Sequence, residues 1–178
     1  MDDSFFAYLQ LLELMGFFSG YPLLYAVVLV IGKGHLKEND LRGRMVSLLP
    51  FAYALVGTLY LGLQLRNMYP NYSPDAIRSS IYQPWLVTWG LLSILFWIPA
   101  IAKKKVLTLL HSLVFFFFLA KDLFLQVSGA TSDKNILRND MKIYTTSLLI
   151  NLGAFVAIVI IYLVFSFYRN RYKTRARQ

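Results

Sequence analysis

The chain has 178 residues, 57% hydrophobic and 15% charged, with a formal net charge of +9 and a mean hydropathy of +0.53; an ordinary soluble domain carries about 25% charge. Five charge-free stretches, at 14–32, 45–65, 79–102, 106–120 and 143–168, fill 105 positions, leaving no room for a separate soluble domain of about 50 residues or more. The composition therefore predicts a polytopic, all-α integral membrane protein, and the absence of cysteine excludes disulfides, thiolate metal sites and thiol nucleophiles.

A bilayer core about 30 Å thick is crossed by about 20 apolar residues in a helix. That length predicts five transmembrane helices, over about 8–32, 45–65, 84–102, 106–127 and 143–167, in one helical-bundle domain, with a basic tail at 168–178. The first apolar run, Phe5 to Ile31, would make about 40 Å of helix, more than a core requires. Either that helix tilts, or residues 4–13 lie at the surface and the span begins near Leu14. No basic segment precedes it and charge follows it, so it reads as a retained anchor rather than a cleaved signal.

The second loop, 66–83, is the longest. Ser73 can cap a helix opening with Pro74 and Asp75, which predicts a short surface helix to about Tyr82. Tyr69, Tyr72, Tyr82, Trp85 and Trp89 read as half of an aromatic belt, and Tyr162, Phe165, Phe167, Tyr168 and Tyr172 as the other half. The third loop is only Lys103, Lys104 and Lys105, a tight hairpin. The stretch after it supplies about 22 Å of helix, so it must continue through Lys121 and Asp122 to Gln126 or Val127, with Ser128 and Gly129 as its stop.

Orientation follows from the basic residues, which are retained on the cytoplasmic side. With five crossings one side carries twelve Lys and Arg and the other five, with Lys121 completing the eighteen. The N-terminus is expected outside and the C-terminus in the cytoplasm, in a multi-pass protein of a bacterial inner membrane or an equivalent one.

At 100° per residue, polar groups gather on one face of each helix. Gln10, Glu13, Gly16 and Gly20 align on the first; Tyr53, Gly57, Tyr60 and Gln64 on the second. Thr108, His111, Phe115, Phe118, Asp122 and Gln126 align on the fourth, and Tyr144, Ser147, Asn151 and Ala154 on the fifth. Phe116 and Phe117 point away, toward lipid. Alternating helix directions place Glu13, Gln64, Asp122, Gln126 and Asn151 in the outer half, as an intramembrane polar cluster whose acids are Glu13 and Asp122.

Charged groups in a span cost at least about 2.5–3.5 kcal/mol and need a partner or a wet cavity. Glu13 and Asp122 could hold a proton, a cation or an amine, could cap helix ends among the headgroups, or could pair with basic residues of a neighbouring subunit. His111 fits either a structural hydrogen bond or a relay, but it lies about 16 Å along the helix from Asp122. Gly16 and Gly20, and Ala54, Gly57, Thr58 and Gly62 on two faces of the second helix, suit close helix packing.

Lys103, Lys104 and Lys105, with Arg169, Arg171, Lys173, Arg175 and Arg177 of the tail, are placed for contact with anionic lipid headgroups. Basic tails on membrane proteins mostly signal topology, which weighs against nucleic acid as the partner. Zinc-ligand histidine spacing, a phosphate-binding glycine loop and a Gly-x-Ser-x-Gly elbow are all missing, so neither metal nor cofactor is expected. The expectation is a non-enzymatic membrane subunit that packs against a membrane protein partner, or against further copies of itself, and helps assemble or stabilise a complex. The alternative is a small transporter or channel that uses the outer-half carboxylates.

Overall fold

The structure, a computed structural model, describes residues 3–32, 41–70, 72–73, 75, 78, 81–128 and 134–175. It is all-helical, with no strand among the described residues. In chain order come α1 (Asp3–Phe18), α2 (Tyr21–Gly32), α3 (Leu41–Met68), α4 (Pro84–Leu92), a 3-10 segment (Ser93–Trp97), α5 (Pro99–Ala102), α6 (Lys105–Ser128) and α7 (Lys134–Arg175). Half of the residues of the surface helix expected from Ser73 to Tyr82, Pro74 among them, lie outside the described residues.

Among the described residues four helical segments are long and apolar enough to cross a membrane: Phe5–Val30, Arg44–Met68, Lys105–Leu125 and Met141–Arg169. The first is broken in the middle, between α1 and α2. Pro22 has no N–H to give the Phe18 carbonyl, and its ring crowds that carbonyl, so the helix cannot run straight through. Ser19 also turns its hydroxyl back onto the Met15 carbonyl at 2.6 Å, a bond that bends helices. The apolar run therefore makes two short helices, α1 and α2, an arrangement that neither a single tilted helix nor a surface segment at 4–13 followed by one span describes.

The segment expected as a third continuous span, 84–102, is the larger departure. Its apolar helical part covers only Pro84–Trp97, and α4 tightens into the 3-10 segment before the chain extends at Ile98 (φ −75°, ψ 117°). Pro99 accounts for that extension, because a proline ring excludes the helical conformation from the residue before it. Trp85 meets Phe118 at one end (centroids 6.2 Å apart), and Lys103 and Lys104 join α5 to α6 at the other. The broken segment thus descends about as far as α6 rises from Lys105 to Phe118, about 20 Å at 1.5 Å per residue.

Tertiary contacts fix the directions. Glu13 meets Gln64 and Phe18 meets Tyr53, so α1 and α3 are antiparallel. Tyr21 meets Thr108 while Phe18 stacks on Phe115, so α6 is antiparallel to α1–α2. Arg44 at the start of α3 donates to the Tyr162 hydroxyl at 2.9 Å, and α7 runs alongside α1–α2. The core is aromatic: Phe18, Tyr21, Tyr53, Tyr60, Phe96 and Phe115 are all buried between the helices.

Candidate functional site

The inward faces are the ones the polar spacing picks out. Tyr53, Tyr60 and Gln64 on α3, Thr108, His111 and Phe115 on α6, and Ser147, Asn151 and Ala154 on α7 are buried. Their polar atoms hold the two broken segments in place. At the α1–α2 break the Gly20 N–H donates to Ser147 Oγ at 2.8 Å, and Asn151 Nδ2 donates to the Phe17 carbonyl at 2.7 Å and the Ser147 carbonyl at 2.8 Å. In hydrocarbon no water can satisfy a freed backbone group, so side chains of a neighbouring helix must do it. Ser147 and Asn151, one turn apart on α7, perform that task.

Gly20 makes the contact possible. A Cβ there would come within 2.5 Å of the Leu148 backbone nitrogen and 2.7 Å of its Cα. Gly57 plays the same part for the other broken segment, because a Cβ at 57 would collide with Ser93 Oγ. Among the described residues nothing lies within 4 Å of a Cβ built on Gly16 or Gly62, so those two bring none of the described helices together. Ala54 is buried, and Thr58 donates to the Ala54 carbonyl at 2.9 Å while accepting from Trp97 Nε1 at 3.0 Å.

At the end of the bundle where α4 begins, Gln10 Oε1 accepts from the Tyr82 and Gln83 backbone N–H groups at 3.0 and 2.8 Å. Gln83 Nε2 returns a bond to the Ala7 carbonyl at 3.3 Å. One turn deeper, Gln64 Nε2 donates to Glu13 Oε2 at 3.2 Å. Among the described residues the buried Tyr60 hydroxyl, one turn from Gln64 on α3, has no hydrogen-bond partner. Glu13 and Gln64 of the expected cluster are thus in contact, whereas Asn151 is engaged at the helix break. Asp122 and Gln126 lie on α6, with side chains outside the described residues.

His111 occupies the middle of the aromatic core. Its Nδ1 is 2.8 Å from the Tyr53 hydroxyl, its ring stacks on Trp89 (4.8 Å, 4°), and Phe96 and Phe115 complete the surround. Among the described residues its Nε2 has no hydrogen-bond partner. Tyr53 lies on a different helix, so a hydrogen bond between helices is present. Trp89, expected in the surface belt, instead lies over this histidine and donates to its backbone carbonyl at 3.2 Å. Phe116, expected toward lipid, lines a cavity of about 260 Å³ between α6 and α7, with Leu119, Ala120, Leu123, Met141 and Tyr144. The reason is that α7 passes on that side of α6.

Sequence reading missed the Tyr21–Thr108 bond (2.9 Å), the Tyr53–His111 pair and the use of Ser147. Helical spacing shows that such groups share an inward face, but not which helix lies opposite. Lys103, Lys104 and Arg169 are exposed and Lys105 is half-buried. Arg171, Lys173 and Arg175 continue α7 with side chains outside the described residues, and Arg177 lies beyond them. Among the described residues no three His, Asp or Glu side chains come together as a metal would require. No protein family, curated protein or solved structure matches the chain.

Proposed function

We propose that this chain is a non-enzymatic integral membrane subunit, a rigid five-crossing bundle that packs against another membrane protein and helps assemble or stabilise it. One observation carries the reading: among the described residues the centre of the bundle is filled by aromatic side chains, and the cavity between α6 and α7 lies on the other side of α6 from it. The space between the helices is occupied by Phe18, Tyr21, Tyr53, Tyr60, Phe96, His111 and Phe115, and most of the buried polar atoms hold backbone groups or one another. Such an interior suits a scaffold better than a conduit or a reaction chamber. In this reading α4, the 3-10 segment and α5 form the third crossing as a discontinuous helix, supported on α3 and α6. The N-terminus lies outside, and the basic end of α7 meets anionic headgroups on the cytoplasmic side.

Native purification in mild detergent tests it. The expected result is a second chain in fixed stoichiometry; migration as a solitary bundle would remove the reading.

A second reading rests on the Glu13–Gln64 contact beside Tyr60. A carboxylate held at one end of the bundle with an unpartnered hydroxyl nearby could take up a proton or an amine, as a small transporter would need. Flux through reconstituted vesicles that survives Glu13→Gln unchanged would dispose of it.

A further inference from the structure

We infer that the outward face of α7 is a docking seam for one transmembrane helix of a different protein, one that carries acidic residues where it leaves the bilayer beside the basic end of α7. The inference rests on the subunit reading above and names the chemistry of the partner. Leu149, Gly153, Val156, Ile160 and Leu163 are all exposed, and their spacing of four, three, four and three residues is the heptad spacing of a coiled-coil seam. Phe167 continues the register, exposed and in ring contact with Tyr168. At 100° per residue these positions stay within an arc of about 80°. That arc is opposite the face that buries Ser147, Asn151, Ala154 and Ile158.

Lipid alone requires neither the heptad spacing nor a glycine in the seam. Glycine is about 1 kcal/mol worse than alanine in a helix, and among the described residues nothing lies within 4 Å of a Cβ built on Gly153. Its use is external: the smallest side chain lets another helix approach closely.

Charge selects the occupant. The helix continues unbroken to Arg175, so the register runs on through Asn170 and Thr174. Arg171 and Lys173 then fall at the positions flanking the seam, where coiled coils pair opposite charges. From Tyr168 to Gln178 the sequence has five basic residues and no acids. A second copy inserted in the same sense would be parallel and would set like charges against one another at those flanks, a repulsion that rejects self-pairing. A helix with Glu or Asp at its own flanking positions satisfies both parts of the surface.

The test uses the full chain in phosphatidylcholine vesicles, which removes anionic lipid as a competitor. Because the chain has no native cysteine, Gln178→Cys carries a single donor fluorophore. The probe is a synthetic spanning helix with Leu at the seam positions, Ala opposite Gly153, an acceptor at its C-terminus, and either Glu or Lys at the flanks of a short extension. Energy transfer to the Glu helix is expected, weaker by about tenfold or more for the Lys helix and for Gly153→Leu, and unchanged for Ile161→Leu off the seam. Gly153→Leu fills open space, so it leaves the bundle folded.

Equal transfer to both helices, or to neither, overturns the inference. Transfer between labelled copies of the chain that Gly153→Leu abolishes assigns the seam to a second copy and overturns it as well. Native purification of Gly153→Leu separates the two proposals: a stoichiometric partner that still accompanies the variant leaves the subunit reading standing and removes the seam.

Discussion

At the scale of single residues, the close approach of Gly20 to α7 makes a strong stability prediction. Gly20→Ala forces a methyl into the Leu148 backbone and is expected to cost about 1–3 kcal/mol or more, as overpacking does. Gly153→Ala, with open space around it, is expected to be neutral or to gain up to about 1 kcal/mol of helix propensity. Unfolding in mixed micelles would compare them, and equal effects would refute the packing assigned to Gly20. Tyr53→Phe should cost about 1–3 kcal/mol, because it strands the His111 Nδ1 in the core. Adding His111→Phe should recover part of that loss, whereas a double variant worse than either single one would deny the pair. Much of this was legible beforehand: His111, Gln64 and Asn151 sit on inward faces because polar groups recur there at helical spacing. Their partners were not legible, since spacing along one helix carries no information about which helix faces it. Asn151 illustrates the gap, assigned by depth to a cluster with Glu13 but drawn instead to the Phe17 carbonyl freed by the helix break.

At the scale of elements, the lesson lies in the prolines. An absence of charge from 79 to 102 reads as a continuous span, and hydropathy is blind to Pro99 excluding helix at Ile98 and to Pro22 breaking the first helix. Both breaks were written in the sequence, but in its backbone chemistry rather than its polarity. The broken α4 segment is held where Gly57 meets Ser93, which makes these two residues a coupled pair. Gly57→Ala is expected to destabilise the bundle by about 1–3 kcal/mol, and Ser93→Gly in the same chain to restore much of it, because the Ser93 side chain is the colliding group. A double-mutant cycle in micelles reads the coupling directly. Additive losses would show that the contact does not position the segment.

At the scale of the whole molecule, Tyr72 follows the end of α3 far from Arg44, whereas Arg169 lies two turns past Tyr162, which Arg44 contacts, so these two exposed residues are at opposite ends of the bundle. Single cysteines introduced by Tyr72→Cys and Arg169→Cys should then react with a membrane-impermeant reagent from opposite sides of a sealed vesicle. Reaction from the same side would dismantle the orientation. The all-helical, membrane-protein class was readable because bilayer thickness sets a length that apolar runs must meet, and four helices among the described residues meet it where five were expected; the order of contacts was not, because it depends on pairs far apart in the chain. The bond between Gly20 and Ser147 spans 127 residues, and its consequence belongs to biogenesis. Translation delivers the first hydrophobic segment long before the last, so its interrupted backbone must wait for the final helix to arrive. A ribosome-arrested product ending ahead of residue 143 would carry those bare amide and carbonyl groups into the lipid. Such nascent chains are expected to be recognised and destroyed by membrane quality control, making completion of synthesis the step that seals the fold.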